Sequence, residues 1–507
     1  MKKSILASLI VPALVVGCGS GSSGSSAPTY QWQVVQLKSV SESSLSSKCI
    51  IYADSELNDG EVITAYVAED DYNILYHNAD GTIAETFSAD DITNGLFTIT
   101  STDVPDDGYV TLEEIESLTG GDRGSYMFSV QKDLLEDLVL NITQEQDSAC
   151  YTGSDYRETD SDTALVNVQQ PDSDPDYYQS SYDVDSVNGK ATATAIPVDS
   201  PYPASRDVLI TAFASYDSSS TEYTELSEWA FISSANLYED SNDTASTLTA
   251  SLSGNGLTDV YWFTTDTVEL DSDSAIIAIH DNQSYFWQPI YDDVDLLTLA
   301  YDTSEVSLWS GYLSGTITSN DWLFTTFTEL DDVTFLELEA FALVEDVLDG
   351  VSVASTCDVA DAFCLDMNGS YSSDDFDYQR VHFRLDEDRT SSSSNISYQS
   401  IYSLANEEPV ILVSSLFDYT DPTLSRIEVN LVSSDADSGD VIQYLMTTNV
   451  DLVDLGEYSA SDFVDDDAAT EFYSDLNGLI TTTSDTEDLY QAMLESNTTT
   501  LSNAYEF

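Results

Sequence analysis

Apolar and polar positions alternate along most of this chain in short runs bounded by Gly, Asn and Asp, the period-two pattern of half-buried β-strands. Between residues 30 and 150 such runs fall at Cys49–Tyr52, Val62–Val67, Asn73–Tyr76 and Leu96–Ile99, with turn signals at Asn58-Asp59-Gly60 and Ala79-Asp80-Gly81. This spacing predicts a β-sandwich-like domain over 30–150. Residues 151–205 hold five of the chain's 11 prolines, at Pro171, Pro175, Pro197, Pro201 and Pro203, with Asp-rich text around the first two. That composition predicts an acidic linker. From 206 to 460 the strand pattern returns, for example at Asp207–Tyr216, Ser274–His280, Asp295–Tyr301, Val410–Leu416 and Ile427–Val432. Within it, Leu252-Ser253-Gly254 followed by Val260-Tyr261-Trp262-Phe263 is echoed 61 residues later by Leu313-Ser314-Gly315 followed by Asp321-Trp322-Leu323-Phe324. A strand-built echo of that length predicts a propeller or repeated sandwich hairpins. Over 461–507 the pattern turns helical, at Asp465–Asn477 and Asp485–Glu495. The expected class is mainly β, with short helices at the C-terminus.

The first residues follow another rule. Lys2 and Lys3 precede an apolar stretch from Ile5 to Val16, which ends in Val15-Val16-Gly17-Cys18. A basic start, an apolar middle and a small-residue exit form a secretory signal. The Cys after the small residue resembles the lipobox of bacterial lipoproteins. The resemblance implies removal of residues 1–17, acylation of Cys18 and, with Gly19 rather than Asp after it, delivery to the outer membrane. Residues 18–29 then form a Gly/Ser tether. No second apolar run approaches the ~18 residues of a membrane helix, so the acyl chains are the expected anchor.

Charge narrows the partners. The chain has 93 Asp and Glu against 13 Lys and Arg, a formal net charge of −80. Such a surface repels nucleic acid and anionic lipid. Its self-repulsion is relieved by salt, which points to a salty medium or divalent counter-ions. A hydrophobic content of 42% with 31 Tyr, 18 Phe and 6 Trp argues for folded domains. Besides Cys18 there are four cysteines. Cys357 and Cys364 are close in sequence and are expected to pair, leaving Cys49 with Cys150.

Four features carry candidate chemistry. With Gly108 at the sixth position of a calcium loop, Asp103, Asp107, Tyr109, Thr111 and Glu114 occupy positions one, five, seven, nine and twelve. Pro105 at position three departs from that pattern, and the competing reading is a turn followed by a helix capped at Thr111. His77, His280 and His382 are far apart, and neither HExxH nor GxSxG occurs. Arg380-Val381-His382-Phe383-Arg384 is the one basic island. On a strand, Arg380, His382 and Arg384 share a face and form a candidate anion site, while Val381 and Phe383 turn to a core. The competing reading pairs the arginines with acidic neighbours. Trp262, Trp287, Trp309 and Trp322 are candidates for a sugar-stacking surface or for core packing.

The signal, the acidic Ser/Thr/Asp text and the β pattern together resemble the large acidic surface lipoproteins of marine bacteria, some described as flagellar sheath proteins. The resemblance implies a non-catalytic structural or interaction role at the cell surface. A carbohydrate-binding or adhesive lipoprotein is the first alternative and a secreted hydrolase the second. A flat aromatic strip would favour sugar binding, and a carboxylate-lined cleft would favour the enzyme.

Overall fold

Alternation alone does not say which strands pair. In the computed structural model, strands far apart in the chain lie side by side. The structure describes residues 27–447 and 483–506, apart from internal segments of which 239–248, 339–350 and 367–375 are the longest. Residues 1–17 and Cys18 lie outside the described residues, as does the helix expected at 465–477.

Among the described residues, thirteen strands form one sheet. From one edge its order is Gln283–Pro289, Ala275–His280, Leu308–Ile317, Trp322–Glu329, Thr499–Glu506, Thr423–Ser433, Tyr378–Thr390, Ser393–Leu404, Arg123–Gln131, Tyr109–Ser117, Tyr72–His77 and Ile83–Ser88. The thirteenth, Val268–Leu270, pairs with Leu308–Ile317. Every junction along this order is antiparallel except one, where Ser393–Leu404 runs parallel to Arg123–Gln131. Hairpin turns set local register. Asp281 and Asn282 take φ of 50° and 63°, the left-handed pair that a tight two-residue hairpin requires. Gly81, at φ 77°, brings Ile411 so close that a Cβ would lie 2.4 Å from its carbonyl oxygen. That approach ties 410–413 to the N-terminal strands through the bond from Val413 N–H to Gly81 O.

Residues 30–150 do form two packed layers. Thr29–Ser41 gathers Glu61–Val67, Leu96–Thr100 and Leu138–Asn141 into a second sheet. Trp32, Val34, Leu138 and Leu140 from this sheet meet Ile74, Leu112, Phe128 and Val130 from the long one. The long sheet is shared with the C-terminal strands, so the sandwich does not close at residue 150. Helix Ser438–Thr447 adds Val441, Ile442, Leu445 and Met446 to the same core.

Three expectations change. The described residues of 151–205 are folded. Ala164–Val168, Tyr177–Ser181, Val187–Lys190 and Ile196–Val198 are strands, and Val166, Tyr178, Ile196 and Val198 are buried with Val208 and Ile210. Pro197 sits in an edge strand, where its missing N–H costs no ladder bond. The echo is not a structural repeat: Thr258–Thr264 lies in a three-stranded sheet with Leu296–Leu299 and Phe335–Leu338, whereas Trp322–Glu329 is central in the long sheet. An open thirteen-stranded sheet is not a propeller. At the C-terminus, helix Thr483–Leu494 is present, but Thr499–Glu506 is a strand inserted between Trp322–Glu329 and Thr423–Ser433. Both disulfides form as expected, Cys49–Cys150 and Cys357–Cys364.

Candidate functional site

The basic island lies on strand Tyr378–Thr390, with Thr423–Ser433 on one side and Ser393–Leu404 on the other. Val381, Phe383 and Leu385 enter one core, as alternation requires. Arg380 and His382 are also buried, on the opposite face. Arg380 Nη1 donates to Glu428 Oε1 at 2.7 Å and to Asn430 Oδ1 at 3.1 Å, and its Nε donates to Ser400 Oγ at 3.3 Å. Ser400 stands 3.3 Å from His382 Nδ1. Burial, then the charges of Arg380 and Arg426, hold His382 well below its ordinary range and so keep it neutral. Arg384 pairs with Asp386 on its own strand at 3.1 Å and lies over the ring of Tyr398. The expected anion site is therefore internal: the carboxylate that Arg380 meets is the chain's own Glu428.

The expected calcium loop does not close. Tyr109, Thr111 and Glu114 belong to strand Tyr109–Ser117, and neither the loop nor the capped helix forms. Thr111 and Glu114, an odd number of residues apart, point to opposite faces of the sheet and cannot share one ion. Thr111 Oγ1 bonds His77 Nδ1 and Ser129 Oγ, while Glu114 accepts from Thr143 N–H at 3.0 Å. Asp103 and Asp107 remain in the preceding turn, and their neighbour Asp106 pairs with Lys132. Among the described residues, only Cys357, Cys364 and Glu408 bring three ligand-type groups together, and those cysteines are joined to each other.

Other polar groups are used inside. His77 is buried between Thr111 and the carbonyl of Val413, and desolvation pushes it down to about 4. Buried carboxylates fasten loops. Glu113 accepts from Ser125 Oγ, Ser414 Oγ and Ser415 N–H. Burial alone would raise Glu387, but the N–H groups of Thr420 and Asp421 and the Thr420 hydroxyl lower it. With so few cations, this chain neutralises buried carboxylates with N–H and O–H donors. Glu136 is an exception. It lies half-buried against Gly439 in the first turn of the helix Ser438–Thr447, and desolvation, then Asp137 and Asp440, push it up to about 7. His280 stacks on Phe231 at 3.8 Å between centroids and lies 3.6 Å from Asp207.

All four candidate tryptophans are core residues. Trp287 packs edge-on against Trp309 at 4.6 Å, Trp322 is fully buried, and Trp262 Nε1 donates to Tyr291 O. Exposed rings lie beside Trp262. On the three-stranded sheet, Val260 and Trp262 turn inward with Leu297, Leu299, Leu336 and Leu338. Alternation sends Tyr261 and Phe263 outward, and Tyr261 stands opposite both Leu296 and Phe335. Tyr261 is 57% exposed, Phe335 50%, Phe263 43% and Leu296 36%. Phe263 and Phe335 lie 5.9 Å apart between centroids. Together these four expose on the order of 300–400 Å² of apolar surface, the size of the largest patch on a typical monomer. Asp259 and Glu337 flank the row on the same face. The sequence held the signal: three aromatic residues in succession on a strand cannot all face one core.

Comparison with protein-family models, with curated protein sequences and with solved structures gives no match.

Proposed function

We propose that this chain is a lipid-anchored, non-catalytic protein of the outer membrane that acts by presenting its folded body to partners at the cell surface. The anchor reading rests on the lipobox pattern ending at Cys18. The interaction reading rests on the exposed aromatic row of Tyr261, Phe263, Leu296 and Phe335, since contiguous apolar patches rimmed by polar groups mark binding surfaces. A structural part in a surface layer such as a flagellar sheath fits the same features. Carbohydrate binding is the second reading, favoured by those rings. Two polar clusters, Arg380–His382–Ser400 and His77–Thr111, are sealed in the core.

The test compares the wild-type chain with Cys18→Ser in a diderm bacterial host. The wild type should fractionate with the outer membrane and be cut by protease added to intact cells. Cys18→Ser should lose both the membrane association and the processing. A wild-type chain found free in the periplasm, or a variant still membrane-bound and processed, would overturn the anchor.

A further inference from the structure

We propose that the outer face of the three-stranded sheet is a binding site for a neutral glycan, seated on Tyr261, Phe263 and Phe335 and hydrogen-bonded at its edges by Asp259 and Glu337. The proposal rests on the interaction reading above and is independent of the anchor. Neighbouring strands set Leu296, Tyr261 and Phe335 side by side at ~4.8 Å intervals, so the row is roughly 10 Å wide. Phe263 extends it along the central strand beside Phe335. The platform cannot turn over. A one-residue slip would bring Trp262, 3% exposed and bonded to Tyr291 O, out of the main core.

The occupant follows from what is local to this face. Negative charge is spread over a chain of net charge −80, so attraction of cations singles out no one place. What distinguishes this face is its rings. None of its residues Asp259, Tyr261, Phe263, Leu296, Thr298, Phe335 and Glu337 is cationic, so an anionic ligand would find repulsion and no partner. A pyranose chain has the matching chemistry. Its C–H faces lie on aromatic rings, its hydroxyls donate to carboxylates, and it carries no charge for the surrounding field to oppose.

The experiment uses the full chain purified in neutral detergent, probed with an array of neutral oligosaccharides that includes cellohexaose and chitohexaose. Heparin and a cationic amphipathic peptide serve as controls. At least one neutral glycan should bind and heparin should not. The double variant Tyr261→Ser/Phe335→Ser should weaken that binding by ~10-fold or more while leaving the melting temperature unchanged. Silence across the array overturns the proposal, as does glycan binding that the double variant leaves intact. Binding of the cationic peptide alone, lost in the double variant, also overturns it, yet keeps the interaction reading by making the partner a basic protein. Heparin binding at this face would overturn the charge argument.

Discussion

Strands Tyr378–Thr390 and Thr258–Thr264 both alternate, and the protein treats them in opposite ways. In the first, both faces are covered. Val381, Phe383 and Leu385 fill one core, and the polar face of Arg380 and His382 is buried among Glu428, Asn430 and Ser400. In the second, Val260 and Trp262 are buried while Tyr261 and Phe263 face solvent. The charged side chains are inside and the rings are outside. Alternation fixes which residues share a face, but neighbouring elements decide which faces are covered. A buried polar face needs every partner in place, because an unmatched group there costs ~1–3 kcal/mol. An exposed aromatic face gives up the stabilisation its burial would bring, and a contiguous patch of this size is a common mark of a contact surface.

That contrast can be broken by substitution. Phe383→Ala should lower unfolding stability by ~3–5 kcal/mol through its cavity, and Arg380→Ala should cost a similar ~3–5 kcal/mol by stranding Glu428 beside an emptied site. Chemical denaturation measures both, and a loss under 1 kcal/mol in either would mean that the face is solvated. Next is Glu136, a charge with no cationic partner. Its folded value is raised to about 7, so the stability it contributes is complete below its unfolded value near 4.5 and is lost as pH rises through 7. Glu136→Gln should therefore remove a decline of ~1–2 kcal/mol between pH 5 and 8, discounted because the group is partly solvated. Equal pH profiles for wild type and variant would reject this. Arg384→Ala should cost only ~0–1 kcal/mol, since Asp386 and Tyr398 hold it at a partly exposed position. Tyr261→Ser should change stability by less than ~0.5 kcal/mol. A larger loss would make Tyr261 a packing residue.

Local rules of side-chain chemistry reach far into this fold. The strands at Val62–Val67, Asn73–Tyr76 and Leu96–Ile99, the pairing of both arginines with carboxylates, and the inward turn of Phe383 all follow from alternation and charge. The long sheet was not legible, because its decisive junction joins Ser393–Leu404 to Arg123–Gln131 across most of the chain, and no local pattern encodes such a partner. The folded nature of 151–205 was hidden by its prolines. Pro197 reads as a breaker in sequence but is harmless on an edge strand. The calcium spacing at 103–114 failed for a related reason. A twelve-residue match cannot see that Tyr109–Ser117 is held straight between Tyr72–His77 and Arg123–Gln131. The aromatic row was half legible. The run Tyr261-Trp262-Phe263 encodes that burying Trp262 turns its neighbours outward, but not which of its faces the rest of the chain covers.

Hydroxyl-radical footprinting of the full chain, read residue by residue by mass spectrometry, tests the central contrast most directly. Tyr261, Phe263 and Phe335 should be oxidised rapidly, while Trp262, Phe383 and His382 stay protected until the protein unfolds. Rapid oxidation of Trp262 or His382 in the native chain, or protection of Tyr261 and Phe335 in the absence of any ligand, would contradict the assignment of buried charge and exposed rings.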